Sequence, residues 1–169
     1  DDLALAMRAQ SLRIVAPIPG KAPIGIEVPN PTPRMVHIRE LLDTAEFRRP
    51  TRTLPVVLGR NLEGDEVVDD LAKMPHLLIA GATGSGKSVC INAMITSLVY
   101  AHPPEKLQLL MIDPKMVELS MYAALPHLGL PVVTSPHKAA NLVKWAVWEM
   151  ERRYRLLHAN HARNIGDFN

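Results

Sequence analysis

One motif constrains the fold of this chain more than any other feature of its sequence. Eight consecutive residues fit the pattern G-x-x-x-x-G-K-[ST] and directly follow the apolar run 77–80. They are Gly81, Ala82, Thr83, Gly84, Ser85, Gly86, Lys87 and Ser88. Glycine permits backbone turns that aim successive N–H groups inward, and a following helix adds its positive end. The segment therefore predicts a phosphate-binding P-loop between a buried strand and a helix.

The last two residues of the motif indicate the kind of ligand. Lys87 can reach the β- and γ-phosphates of a bound polyphosphate, and the Ser88 hydroxyl is the expected ligand of an accompanying Mg²⁺. The alternative is a glycine-rich turn between a strand and a helix that binds nothing. Such a turn does not require the Lys-Ser pair, so the phosphate site is the favoured interpretation.

Composition excludes several classes of protein. The 169 residues are 47% hydrophobic and 21% charged, which is enough for one sizeable core and a small annex. No apolar stretch approaches the roughly 20 residues of a transmembrane helix, and residues 1–3 do not resemble a signal peptide, so a soluble, cytoplasmic chain is expected. The single cysteine, Cys90, is expected to be a small apolar side chain on the P-loop helix. A net charge of +2 does not by itself argue for nucleic acid.

Residues 1–50 contain only short elements separated by prolines. The pattern predicts a helix over 3–7, strands over 12–15 and 24–28, and a helix over 37–47. The apolar positions of the last helix are Ile38, Leu41, Leu42 and Ala45. This region is interpreted as the C-terminal part of a small domain plus a linker. The basic cluster 48–52 belongs to that linker, with a nucleic-acid contact as the alternative.

The order of predicted strands and helices over residues 51–169 indicates an α/β domain. Runs at 56–59 and 66–68 predict a hairpin in which Gly64 takes a positive φ. Strands are predicted over 76–80, 107–112 and 131–133, with a helix over 86–100. A long helix over 136–158, with Ser135 as its N-cap, carries an apolar stripe expected to face the sheet. That stripe contains Ala140, Val143, Val147, Met150, Tyr154 and Leu157.

Asp113 ends the second apolar strand and has two interpretations. An apolar strand that ends in Asp is the pattern of the Walker B acid that orients Mg²⁺. In P-loop folds with an additional strand between the P-loop strand and the Walker B strand, however, this position lies away from the metal. Pro114 also stands where many ATP hydrolases have a glutamate that activates water. A turn-capping role is favoured, and Asp113 is kept as a weak candidate for the metal.

Several long segments resemble one protein family. MPHLLIAGATGSGKSVCINAMI, LLMIDPKMVELSMYAALPHL, PVVT and EMERRYRLL resemble the motor of the bacterial FtsK/SpoIIIE DNA translocases. PIPGKAPIGIEVPN and VHIRELLDTAEF resemble the small α+β domain that precedes that motor. The similarity covers essentially the whole chain. The DPKMVELS block is more specific to the family than the P-loop is.

The resemblance implies a RecA-like P-loop ATPase core with a parallel sheet over 51–169. It implies ATP and Mg²⁺ as cofactors, with ATP bound by residues 81–88, and double-stranded DNA and a homo-hexameric ring as partners. It also implies action in chromosome segregation and cell division at the cytoplasmic face of the inner membrane, through membrane segments absent from this chain. The family's Walker B acids, arginine finger and winged helix lie beyond Asn169, so this chain is expected to hold the nucleotide cradle without the hydrolytic machinery. Asp113 or Glu118 would become catalytic candidates if this chain hydrolysed ATP rapidly.

Other residues carry weaker signals. His158 and His161 could share a metal but are interpreted as surface histidines, because no third ligand stands nearby. Trp145 and Trp148 are expected to be core or interface anchors. Lys115 is either a phosphate sensor, a subunit-interface cation or an exposed lysine. A secretion-system motor that moves protein, or a nucleotide-binding module without turnover, remains the alternative function.

Overall fold

The computed structural model describes residues 6, 12–15, 24–32, 34–74 and 76–168, in two compact units, Asp1–His37 and Ile38–Asn169. In the first unit, β1 (Arg13–Val15) and β2 (Gly25–Glu27) pair antiparallel, with Ile14 opposite Ile26. These are the two strands predicted for this region. Ala6 is helical, and the rest of the helix predicted over 3–7 lies outside the described residues.

The second unit begins with a short helix and a hairpin and continues with longer helices. Its elements are α1 (Ile38–Leu42), β3 (Pro55–Arg60), β4 (Glu66–Asp70), α2 (Lys87–Ala101), α3 (Pro136–Ala159) and α4 (Ile165–Phe168). Short 3₁₀ turns occupy Leu71–Lys73 and Ser120–Tyr122. The hairpin is confirmed, and Gly64 in its turn has a φ of 91°. Helix α4 was not predicted, because it is a single four-residue turn without a periodic pattern.

Strand β3 is covered on both faces. Val57 packs in one cluster with Leu41, Leu42, Phe47 and Val68. The adjacent Val56 packs on the other side, in a cluster with Met94 and Leu98 of α2. Successive side chains of a strand point to opposite faces, so these two neighbours connect β3 to both α1 and α2. The core of this unit therefore lies on the two sides of one strand.

Helix α1 is shorter than predicted. It ends at Leu42 instead of continuing to residue 47. The Thr44 hydroxyl donates to the carbonyl of Leu41 at 2.7 Å and accepts from the N–H of Phe47 at 3.3 Å. Such local bonds compete with the helical ladder, so the chain turns. The turn still buries Phe47, whereas Ala45 of the predicted apolar stripe is exposed.

The parallel pairing is less regular than predicted. Within the described residues it consists of two bridges, Leu109 with Leu128 and Ile112 with Val133. The run 76–80 is not assigned to a strand, and Leu78 is 90% exposed. A strand is defined by ladder hydrogen bonds to a neighbour, and the described part of the chain pairs no neighbour with this run.

Helix α3 begins at Pro136 as predicted, but Ser135 makes no side-chain capping hydrogen bond. The stripe expected to face the sheet is largely exposed, with Val143 at 56% and Tyr154 at 62%. The buried residue of this helix is Leu142. Its charged face is ordered by Glu149, whose pKa is lowered to about 2 by hydrogen bonds from Arg152 and Arg153.

No helix in the described parts of the chain is long and apolar enough to cross a membrane.

Asp70 joins the two ends of the hairpin. Its side chain is almost fully buried, and its carboxylate accepts from the N–H groups of Thr53, Leu54 and Ala72 at 2.8–3.1 Å. Burial alone raises the pKa of a carboxyl, but here the three N–H donors outweigh it, so the pKa of Asp70 lies below its usual range. The ionised carboxylate therefore stabilises the folded chain.

Asp70→Asn is expected to lower the free energy of unfolding by about 1–3 kcal/mol, because the amide leaves buried N–H groups without an acceptor. Urea denaturation at pH 7 measures the loss, with the exposed neighbour Asp69→Asn as the control for charge. The contribution of Asp70 is present above the pKa of the unfolded chain and disappears as the pH falls through the lowered pKa of the folded chain. The variant should therefore lose stability less steeply than the parent below about pH 4. Equal losses for both variants would contradict this role.

Candidate nucleotide-binding site

The P-loop is an open turn that leads directly into α2. Residues 81–86 are exposed, and the N–H of Ser85 donates to the carbonyl of Ala82 at 3.0 Å. Gly84 and Gly86 have φ values of 81° and 91°. Residues with a Cβ atom rarely adopt this left-handed region, which explains why glycine stands at both positions. The backbone thus has the curled form expected of a phosphate cradle.

The start of α2 has no side-chain cap. Its N-cap is Gly86, and the first helical hydrogen bond runs from the N–H of Cys90 to the Gly86 carbonyl at 2.9 Å. The first N–H groups of a helix lack intrahelical partners, and the helix dipole places positive charge there. An uncapped, solvent-facing start of this kind is suited to an anion.

Gly81 closes the loop against Ser85. A Cβ atom added at Gly81 would lie 2.2 Å from Oγ of Ser85 and 3.1 Å from its Cβ. A side chain at position 81 would therefore displace Ser85 and change the turn. The first glycine of the motif, Gly81, and its fourth variable position, Ser85, are thus coupled by packing.

The two chemically active residues of the motif are half-buried at the beginning of α2. Lys87 is its first residue and Ser88 its second. The Lys87 ammonium lies 4.0 Å from a carboxylate oxygen of Glu118. The structure therefore brings together a cation from the P-loop and an acid from the segment that follows Asp113. The assignment of Ser88 to Mg²⁺ stays a prediction.

Asp113 organises that segment. It is 5% exposed, and its carboxylate accepts from the N–H groups of Lys115, Glu118 and Leu119 at 3.0–3.2 Å. The Leu119 N–H contributes most to lowering the pKa of Asp113, and the other N–H donors act in the same direction against burial. These contacts fit the turn-capping interpretation. A role in binding the metal remains a weaker, untested prediction.

The remaining candidates are dispersed. Cys90 packs beside the cluster of Val56, Met94 and Leu98, as expected of a small apolar side chain. The described residues contain no group of three or more histidine, cysteine or acidic side chains placed to hold a metal, so His158 and His161 have no such group around them. Trp145 and Trp148 are 44% and 53% exposed, so of the two predicted roles the core role is wrong for the described chain, and the interface role stays a prediction. Lys115 is exposed.

The basic cluster is paired within the chain. Arg48 contacts Asp43 at 3.0 Å, and Arg49 contacts Glu46 at 2.7 Å. The Arg52 side chain is 12% exposed and donates to Glu46 and to the carbonyl of Val68. Arg52 therefore fixes the chain before β3, and these three charges are largely compensated by neighbouring groups.

Comparison with known families decides which family this site belongs to. The sequence profile of the FtsK/SpoIIIE family matches residues 37–169, and that of the FtsK alpha domain matches residues 1–30. The chain belongs to the FtsK/SpoIIIE family. The P-loop, the segment organised by Asp113 and α3 all lie within the FtsK/SpoIIIE match.

Curated relatives extend the FtsK/SpoIIIE similarity over the full chain. A DNA translocase FtsK of Clostridium tetani is 55% identical over 169 residues, which are 100% of this chain and 23% of the relative. The corresponding protein of Haemophilus influenzae is 56% identical over 168 residues, 99% of this chain and 32% of the relative. The DNA translocase SpoIIIE of Bacillus subtilis is 54% identical over 100% of this chain and 22% of its own length. The chain thus spans between about a fifth and a third of these relatives.

A solved structure supports the fold of this FtsK/SpoIIIE chain. The pCW3 conjugation coupling protein TcpA, in its monomer form with ATPγS, matches with a TM-score of 0.63 and 25% identity. The match covers 99% of this chain and 44% of that one. The α/β P-loop ATPase fold is therefore established, although the parallel pairing of the described residues is limited to two bridges.

Sequence reasoning missed the placement of Glu118 against the P-loop. Glu118 stands 31 positions after Lys87, and no local periodicity relates the two residues. The available signal was the DPKMVELS block, in which Asp113 and Glu118 stand five apart. The Asp113 carboxylate accepts from the backbone N–H groups of residues 115, 118 and 119, and these hydrogen bonds help bring Glu118 back toward α2.

Asp113→Asn is expected to loosen the segment 113–119 while changing Mg²⁺ affinity little. The amide has one acceptor oxygen and no charge, so the N–H groups of Glu118 and Leu119 should exchange with solvent faster. Hydrogen exchange of these two amides by NMR measures the effect. In the parent chain the same protection should persist at neutral pH and disappear as the pH falls through the lowered pKa of Asp113. A large, selective loss of Mg²⁺-ATP binding in a well-folded variant would instead assign Asp113 to the metal.

Proposed function

We propose that this chain is the ATP-binding part of an ATP-driven translocase of double-stranded DNA. The observation that carries the proposal is the similarity to curated DNA translocases along the whole chain, including a P-loop that opens into an uncapped helix. ATP and Mg²⁺ are the cofactors of this proposal. Double-stranded DNA is its proposed cargo.

Each residue of the motif has a proposed role in holding the nucleotide. The curled backbone of 81–86 and the first N–H groups of α2 bind phosphate oxygens. Lys87 neutralises the β- and γ-phosphates, and the Ser88 hydroxyl holds Mg²⁺. The bound Mg²⁺ supplies further neutralisation of the phosphates during transfer. The half-buried position of Lys87 strengthens its attraction for an anion relative to a fully solvated lysine.

Turnover by this chain alone is proposed to be slow. Of the two acids considered as catalytic candidates, Asp113 accepts three backbone N–H groups and Glu118 faces Lys87. Without nucleotide, neither acid is free to activate water in this arrangement. The acids and the arginine finger needed for hydrolysis are proposed to lie further along a complete protein.

Assembly and location are also proposals. The complete protein is proposed to form a homo-hexameric ring and to act in chromosome segregation at the cytoplasmic face of the bacterial inner membrane, which it contacts through segments outside this chain. The net charge of +2 and the internal pairing of Arg48, Arg49 and Arg52 favour weak DNA binding by the chain itself.

Lys87→Ala is expected to weaken binding of a non-hydrolysable ATP analogue with Mg²⁺ by roughly 10- to 100-fold, because a hydrogen bond to a charged group contributes about 1.5–3 kcal/mol. Isothermal titration calorimetry of the chain measures the change. Lys144→Ala, which removes an exposed lysine of α3, is the matched control. Equal affinities of the parent and Lys87→Ala would remove the support for the P-loop assignment.

Double-stranded DNA is expected to stimulate ATP hydrolysis by the complete protein, whereas the 169-residue chain should stay below about 1 turnover per second with or without DNA. A coupled ATPase assay with linear duplexes, with Lys87→Ala of the complete protein as the inactive control, measures both. If no duplex stimulated the complete protein, a protein cargo would replace DNA in the proposal. Rapid turnover by the chain alone would make Asp113 and Glu118 catalytic candidates again.

A further inference from the structure

A carboxylate faces the cation of the P-loop. The Lys87 ammonium and the Glu118 carboxylate are 4.0 Å apart, and their side chains are 37% and 33% exposed. The pair is therefore neither buried nor fully solvated. Its attraction is of the modest size of a surface ion pair, which a stronger anion can replace.

Glu118 is held at this position by its own backbone. Its N–H donates to the Asp113 carboxylate at 3.0 Å, as does the N–H of Leu119. Between Asp113 and Glu118 the chain passes through Met116, which has a φ of 57° although it is not glycine. Backbone strain of this kind persists only where the surroundings enforce it. The position of Glu118 is thus imposed by the fold.

A second polar contact joins the same segment to α2. The Tyr122 hydroxyl donates to the side-chain carbonyl of Asn92 at 2.9 Å, and both residues are half-buried. Asn92 lies five residues after Lys87 on the same helix. The segment 113–122 therefore contacts the P-loop helix at two levels, and Glu118 is the contact nearer to the phosphate cradle.

From this geometry we infer that Glu118 is a built-in competitor of the nucleotide phosphates for Lys87, and that it sets the nucleotide affinity of the P-loop. Without nucleotide, Glu118 supplies the counter-charge of Lys87. A bound polyphosphate takes over Lys87 and places negative charge beside the Glu118 carboxylate, which costs free energy. Glu118 is a positioning residue in this account, because it acts through Lys87.

The competition makes the site selective between nucleotides. Lys87 of a P-loop reaches the β- and γ-phosphates, so the γ-phosphate of ATP brings more negative charge toward Glu118 than ADP does. Removing the charge of Glu118 should therefore favour ATP more than ADP. This inference rests on the proposed nucleotide site, and it identifies Glu118 as the residue that sets the nucleotide affinity of that site.

The test is the affinity of Glu118→Gln for a non-hydrolysable ATP analogue and for ADP, each with Mg²⁺, measured by isothermal titration calorimetry on the whole chain. Loss of a partly exposed ion pair should tighten binding of the ATP analogue roughly two- to five-fold. ADP should change less, so the ratio of the two affinities should shift toward ATP. A purely structural role of Glu118 would not move that ratio. Glu151→Gln, an exposed residue of α3, carries the same change of charge and should leave both affinities unaltered.

Further variants separate the failure of this inference from that of the nucleotide site. Glu118→Asp keeps the charge but shortens the side chain, and tighter binding of the ATP analogue by this variant than by the parent would support the competition even if Glu118→Gln were poorly folded. Unchanged or weaker ATP binding by a well-folded Glu118→Gln, with Lys87→Ala still defective, would overturn the inference alone. If the parent chain bound no nucleotide and Lys87→Ala were identical to it, both proposals would fail.

Discussion

The rest of the second unit depends on one buried hydrogen bond between β3 and α2. The N–H of Val57 donates to Oγ of Ser97 at 3.2 Å, and the same hydroxyl donates to the carbonyl of Ala93 at 2.7 Å. Ser97 is fully buried, so leaving either partner unsatisfied would cost about 1–3 kcal/mol. This bond fixes the rotation of α2 on the strand, while Met94 and Leu98 pack beside it against Val56. The start of α2, and with it the P-loop, is thereby oriented from three turns away.

The two ends of α2 consequently differ in character. Its second half contributes the buried residues Met94, Ser97 and Leu98, whereas Lys87 and Ser88 at its start are half-buried and residues 81–86 are exposed. A loop on a rigid support can present backbone N–H groups in a defined direction while remaining accessible to a ligand. The start of α2 needs no deep cavity among the described residues to attract phosphate. An uncapped helix start and one lysine already supply that attraction.

The parts of the fold that sequence predicts well are those with local causes. The hairpin and the turn at Gly64 follow from alternation and turn residues. The bounds of α2 follow from the P-loop glycine and from the prolines after His102, and the P-loop follows from its spacing. The errors arise where side-chain hydrogen bonds or long-range contacts, and not the apolar period, decide the conformation. Thr44 ends α1 early through its own hydrogen bonds, and the apolar stripe of α3 predicts burial that the described residues do not provide. The approach of Glu118 to Lys87 depends on Asp113, which no helical or strand period reveals.

The segment 113–119 connects charge at the P-loop to the backbone through Glu118. The side chain of Glu118 faces Lys87, while its N–H shares the Asp113 carboxylate with Leu119 and Lys115. A small displacement of Glu118 would lengthen several of these bonds at once, and it would also disturb the left-handed conformation of Met116. These hydrogen bonds share the Asp113 carboxylate, so a displacement of that carboxylate changes all of them together. Under the proposed competition, a phosphate that replaces the Glu118 carboxylate at Lys87 either leaves the segment intact, with only the side chain rotated, or loosens these hydrogen bonds together.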